Sequence, residues 1–166
     1  QHRDALVVRV QQFVDHLGLP KRVGESVGEL AHELLMNAMF DAPVDDDGQP
    51  KYARDRKAHL VLEPAEQPLL RVASDGSRLA IQVIDSFGGL RRNHVFDGLA
   101  RGLESGEMDT SHGGAGLGMV VCHNSTVAMF YDVITNEQTE VTGIFDMDLN
   151  LREFRTQAKS LHFFQA

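Results

Sequence analysis

From Asp4 to Leu17 the apolar residues Leu6, Val7, Val10, Phe13, Val14 and Leu17 recur at helical spacing, which predicts a helix with one buried stripe. Gly18-Leu19-Pro20 ends it and opens a second helix with Pro in a first-turn position. Val23, Val27, Leu30, Ala31, Leu34 and Ala38 line one face of that second helix, which is expected to run to about Phe40. Beside the apolar stripe lies a polar line, Glu29, Glu33, Asn37 and Asp41, each four residues after the last and so stacked on one face. Leu34, Leu35, Met36 and Ala38 hem in Glu33 and Asn37 and place them at the border of the core. A carboxylate and an amide there cost stability unless both are satisfied, which a capped or internally hydrogen-bonded polar pair also achieves.

The period then breaks. Ala42 to Arg56 is irregular, with an acidic turn at Asp45-Asp46-Asp47-Gly48 and a basic stretch, Lys51 to Lys57, that includes Arg54 and Arg56. The acidic cluster does not continue into the twelve-residue pattern of a calcium loop, so it reads as a solvated turn. From Ala58 the alternation is that of strands: His59 to Leu62, Leu69 to Ala73, and Leu79 to Ile84, the last two joined by the turn Ser74-Asp75-Gly76-Ser77. Asp85 ends the third strand directly before Ser86-Phe87-Gly88-Gly89. An acid at that place suits acceptance of a hydrogen bond from a ligand amino group, and it equally suits a turn-forming Asp.

Arg91 to Gly106 is weakly helical, and Glu107 to His112 is polar and expected to be mobile. A helix follows from Leu117 to about Ala128, then strands at Met129 to Ile134 and Glu140 to Leu149 around an Asn136-Glu137-Gln138 turn. A polar tail, Arg152 to Lys159, leads to a final strand at Ser160 to Phe164. Two helices, a hairpin, a helix and a second hairpin predict an α+β fold: a two-layer sandwich of helices on a mixed, mostly antiparallel sheet.

A length of 166 residues fits one domain spanning 1–166, with an N-terminal helix at 1–18 and a C-terminal extension at 150–166. The net charge of −8 argues against nucleic acid as the main partner, since duplex affinity rests on Lys and Arg. It remains compatible with a small phosphate ligand held by backbone N–H groups and a metal ion. No run approaches a membrane span, and the N-terminus lacks the layout of a signal peptide, so no membrane partner is expected. Cys122 is the only cysteine, which excludes an internal disulfide and suits a cytoplasmic location. A chain that starts at Gln1 is that expected of an excised domain or a trimmed protein.

His112-Gly113-Gly114-Ala115-Gly116-Leu117-Gly118 runs straight into the apolar Met119-Val120-Val121. Glycines let a ligand approach the backbone, and a helix opening there points N–H groups and a positive dipole end at it, which favours phosphate. A flexible turn entering a core helix has the same local pattern.

Taken in chain order, Glu33 four residues before Asn37, Asp85 before a glycine turn, and GGAGLGM from Gly113 to Met119 resemble the GHKL superfamily. That family's Bergerat-type ATP-binding fold is shared by gyrase, a heat-shock chaperone, histidine kinases and MutL. The resemblance runs from the second helix to the strand after Glu140 and implies a role for each match. Asn37 would coordinate a magnesium ion on the triphosphate of ATP, and Asp85 would accept from the adenine amino group. Gly113, Gly114, Gly116, Leu117 and Gly118 would meet the phosphates, Asp41, Gly88 and Gly89 would complete the nucleotide contacts, and residues 90–113 would form a lid. Glu33 would act as general base toward a hydroxyl or a water. Two positions depart from the family: Phe87 replaces a glycine of the usual Asp-x-Gly-x-Gly turn, and Phe40 stands where many kinases carry a cation, which is then either lost or supplied from elsewhere, by Arg54 or Arg56.

The small size and the Glu–Asn pair look most like the stand-alone serine kinases that act as anti-sigma factors in bacteria. The resemblance thus implies a protein partner, a Ser/Thr (or His) phosphoacceptor or a regulated factor, and allows a homodimer. The catalytic half of a histidine kinase is one alternative, although such kinases usually place Asn where Glu33 stands. A non-catalytic nucleotide-binding or interaction module is another, kept open by Phe87 and Phe40.

Overall fold

The structure, a computed structural model, describes residues 2–45, 47–53, 59–104, 115–148 and 151–166, with the backbone alone at 2, 3, 102–104, 115–117, 151, 152 and 155. The chain is α+β: helices packed on a five-stranded mixed sheet, arranged as a two-layer sandwich. Helices α1 (His2–His16) and α2 (Lys21–Met36) pack as a pair, and Val10, Val14, Val27, Leu30 and Leu35 are buried between them and the sheet. Gly28 lets the pair approach, since a Cβ there would sit 2.6 Å from the Gln11 amide nitrogen.

The second helix does not end as an α-helix. Over Asn37–Asp41 the backbone widens into a π turn, closed by the Ala42 N–H donating to the Asn37 carbonyl at 3.0 Å. Such turns add a residue to a helical repeat and concentrate at functional sites. The α-helical pattern expected to reach Phe40 therefore stops at Met36, and Phe40 itself is buried in the core.

Strands β1 (Leu69–Ser74) and β2 (Arg78–Asp85) form the first hairpin, pairing Leu70 with Val83 and Val72 with Ile81. Its turn is closed by Asp75 Oδ1, which accepts from Ser77 N–H at 2.9 Å and Arg78 N–H at 2.7 Å, with Gly76 at φ +95°. Helices α3 (Arg92–Glu104) and α4 (Ala115–Ser125) follow and pack on each other. Strands β3 (Ala128–Ile134) and β4 (Gln138–Asp146) make the second hairpin, and these four strands lie in the order β1-β2-β4-β3.

Alternation along the strands sorts the sheet into two faces. Leu79, Ile81, Val83, Met129, Tyr131, Val133 and Phe145 are buried on the helix side, where Gly143 lets Leu30 of α2 press against the backbone. The tail forms a short helix α5 (Leu151–Thr156) and then β5 (Ser160–Gln165), which pairs parallel with β3 and stacks His162 on Phe130 at 4.7 Å.

Several boundaries differ from the sequence pattern. His59 to Leu62 forms no strand: Val61 is 80% exposed, and the segment leads into a 3-10 turn at Pro64–Glu66. An apolar run of that length needs a pairing partner, and none of the five strands of the sheet pairs with it. Helix α4 begins at Ala115 and stops at Ser125, because Thr126 folds its hydroxyl back to the Cys122 carbonyl at 2.9 Å. Lys159 then donates to the carbonyls of His123 at 3.3 Å and Thr126 at 3.2 Å, tying the C-terminal segment to that helix end. No helix among the described residues is long and apolar enough to cross a membrane.

Candidate functional site

One cavity of about 500 Å³ opens between α2, its π turn, α3, the start of α4 and the sheet. Pockets of that size hold small organic ligands, with apolar walls and a few placed polar groups. Leu34, Ala38, Val83, Tyr131 and Val141 supply apolar wall, and Asn37, Asp41, Asp85 and Thr139 supply polar groups. The π turn presents both Asn37 and Asp41, half-buried, to this space.

Asp85 ends β2, and its antiparallel pairing partner on β4 is Thr139. Both are buried, and both belong to the cavity wall. Burial pushes the Asp85 carboxyl up to about 6, opposed by hydrogen bonds from the backbone N–H groups of Phe87 and Gly88 and from Thr139. The Phe87 N–H donates to Asp85 Oδ1 at 3.0 Å. An acceptor is thus held at the sheet end of the cavity by the strand pairing and by the turn that follows it.

Of the two turn glycines, Gly89 lies on the wall and Gly88 does not. Gly88 is buried at φ +59°, and a Cβ there would sit 2.6 Å from Glu137 N and 2.7 Å from Asn136 N. Its carbonyl accepts from the Asn136 N–H at 3.2 Å, so Gly88 docks the turn onto the β3–β4 hairpin. Phe87 is half-buried and absent from the wall; at this position the chain uses its backbone N–H.

Glu33 stands one α-turn before Asn37 yet is not on the cavity wall. Its carboxylate packs against the first turn of α4, where a Cβ on Gly118 would overlap Oε2. The same carboxylate lies near Cys122, whose thiol is pushed up mainly by burial and further by this negative charge. Glycine at 118 thus leaves room for the Glu33 carboxylate, which a Cβ there would force to shift. Gly116, Leu117 and Gly118 fall in the first turn of α4, whose N–H groups have no intrahelical partner. Gly113 and Gly114 lie outside the described residues, as do Arg54, Arg56 and residues 105–112 of the expected lid.

Other wall residues went unremarked in the sequence. Thr139 becomes visible only through the β2–β4 register. His94, Asp97 and Arg101 sit at three- and four-residue intervals on α3, and all three line the cavity. Val44, Gly48 and Pro50 close it from the loop after the π turn. That loop is folded by Asp45, whose Oδ1 accepts from Asp47 N–H at 3.0 Å and Gln49 N–H at 2.8 Å. It is anchored by Glu66, which is buried and accepts from Lys51 Nζ at 2.7 Å and the Tyr52 hydroxyl at 3.1 Å. Those bonds, the Lys51 one first, hold the Glu66 carboxyl below its usual range. No family model, curated protein or solved structure matches this chain.

Proposed function

We propose that the cavity is a nucleotide site and that the chain is an ATP-binding kinase domain of the GHKL type, with the Bergerat arrangement of helices on a sheet. One observation carries the reading: Asn37, Asp41, Asp85 and Gly89, nominated from separate stretches of sequence, converge on a single cavity of ligand size. A buried acceptor at the sheet end, paired with a threonine, suits a base that offers an exocyclic amine beside a ring nitrogen. Apolar walls at Val83, Tyr131 and Val141 suit its faces.

The wall also carries Asp41, Asp85 and Asp97 against Arg101, so an unaccompanied polyphosphate would meet net repulsion. Asn37 and Asp41 offer oxygen atoms, and no group of three or more His, Cys, Asp or Glu side chains converges among the described residues. That donor set fits magnesium, which takes one or two protein oxygens and leaves its other positions to phosphate and water. When bound, magnesium would screen the triphosphate charge. The first turn of α4 would direct its N–H groups at the phosphates.

Glu33, beside that turn, would take the proton of a Ser or Thr hydroxyl on a protein partner. The oxygen bonds to the γ-phosphorus as the bond to the β-phosphate oxygen breaks and ADP leaves. A histidine acceptor would need no such base. A cytoplasmic setting and a protein partner rather than nucleic acid belong to the same reading. A second reading, nucleotide binding without transfer, is favoured by one feature: Glu33 packs against Gly118 and is not on the cavity wall.

Calorimetric titration with ATP and ADP, with and without magnesium, tests the proposal on the wild type and on Asn37→Ala. Magnesium-dependent binding that Asn37→Ala abolishes is expected. Equal affinity of wild type and variant would sink the assignment of the site.

A further inference from the structure

We propose that Arg101 neutralises the anionic end of the ligand in the cavity, replacing the cation that the sequence lacks at Phe40. The proposal rests on the nucleotide reading and adds a residue to it. Phe40 is 3% exposed and packed in the core, so neither it nor a basic side chain in its place would reach the ligand without leaving that packing. Among the described residues, Arg101 is the one Lys or Arg on the cavity wall.

Its place along the wall follows from how α3 is anchored. Arg91 Nη1 donates to the Gly88 carbonyl at 3.2 Å, which fixes the start of α3 beside the turn that holds Asp85. Gly89 and Leu90 line the cavity there, and His94, Asp97 and Arg101 follow along one face of the helix. At the rise of an α-helix Arg101 lies about 10 Å beyond His94 along the axis. A ligand whose amino group meets Asp85 therefore extends toward Arg101 with its far end. Helix α3 packs on α4, whose first turn is the other candidate for phosphate contact.

Arg101 is exposed, so its guanidinium is hydrated and open to an arriving ligand. A planar guanidinium pairs two-pronged with phosphate oxygens, and such charge-assisted bonds are the strong ones. Asp97 stands one turn before Arg101 on the same wall, and its negative charge opposes a polyanion entering beside it. The pair thus sets a balance in which Arg101 attracts the phosphates and Asp97 limits their affinity.

The test compares adenosine with ATP–magnesium by calorimetry on wild type, Arg101→Gln, Arg101→Lys and Asp97→Asn, with thermal melts to confirm folding. Arg101→Gln should weaken ATP by about tenfold or more and leave adenosine within about twofold. Arg101→Lys should restore most of that loss, and Asp97→Asn should tighten ATP. Wild-type ATP affinity in Arg101→Gln, with adenosine still bound, overturns the role of Arg101 and leaves the nucleotide site standing. Equal weakening of adenosine and ATP likewise overturns it, since that would mark a structural role. A wild type that binds neither ligand overturns both proposals.

Discussion

Replacing Asp85 by Asn should stabilise the protein at neutral pH and remove the carboxylate from the proposed ligand site in the same stroke. Asp85 is 8% exposed, and burial moves its carboxyl from an ordinary value of 3.8 up to about 6. The unfolded chain therefore releases this proton at lower pH than the fold does. Its contribution to stability is fully present below about pH 4 and is lost as pH rises through about 6. The loss amounts to about 3 kcal/mol, the cost of keeping the ionised group desolvated. Asn carries no charge to desolvate, but its amide nitrogen cannot accept from the Phe87 or Gly88 N–H, which costs about 1–1.5 kcal/mol. The net expectation at pH 8 is a gain of about 1–2 kcal/mol, or a few degrees in Tm for a chain of this size. At pH 3.5 the sign reverses, because the wild-type carboxyl is then largely protonated in the folded and the unfolded chain alike and only the lost hydrogen bond counts. Urea melts of both proteins at the two pH values measure the difference directly, with other carboxylates cancelling in the comparison. A destabilisation of the same size at both would show that desolvation of Asp85 does not govern its energetics.

Two further substitutions separate chemistry from scaffolding. Glu33→Ala should retain nucleotide affinity and lose phosphate transfer to the partner protein; unchanged transfer, followed with radiolabelled ATP, would remove Glu33 from the mechanism. Gly88→Ala should cost more than about 3 kcal/mol or prevent folding, since the residue sits at φ +59° with hairpin backbone in van der Waals overlap with any Cβ. An unchanged denaturation midpoint would contradict that geometry.

Local pattern carried the reading where the determinant is local. The four-residue spacing of Glu33, Asn37 and Asp41 and the position of Asp85 at a strand end before glycines were legible because each depends on a few neighbouring residues. The widening of the helix at Asn37 was not, since the hydrophobic positions Leu34 and Ala38 fit an ordinary helix and only the Ala42–Asn37 bond reveals the extra residue. Thr139 and the α3 face were hidden because they depend on which strand meets β2 and on how α3 rolls against α4. Lys51 reads only as the start of a basic stretch, yet it and Tyr52 satisfy Glu66, a carboxylate whose burial no neighbouring residue announces. Gly88 is a nucleotide contact in what the family resemblance implies, whereas its contacts here are those of a hairpin dock.

The pairing of Asp85 with Thr139 has a kinetic consequence. These partners flank a stretch of chain, residues 86 to 138, that contains α3, α4 and β3. The floor of the cavity does not exist until β2 and β4 meet across that separation, a closure whose entropic cost must be met before the contact returns anything. Ligand binding should therefore be acquired late in refolding, after helical signal has largely recovered. The same logarithmic dependence makes the length of that intervening stretch cheap to change: doubling it adds only about 0.6 kcal/mol to the closure.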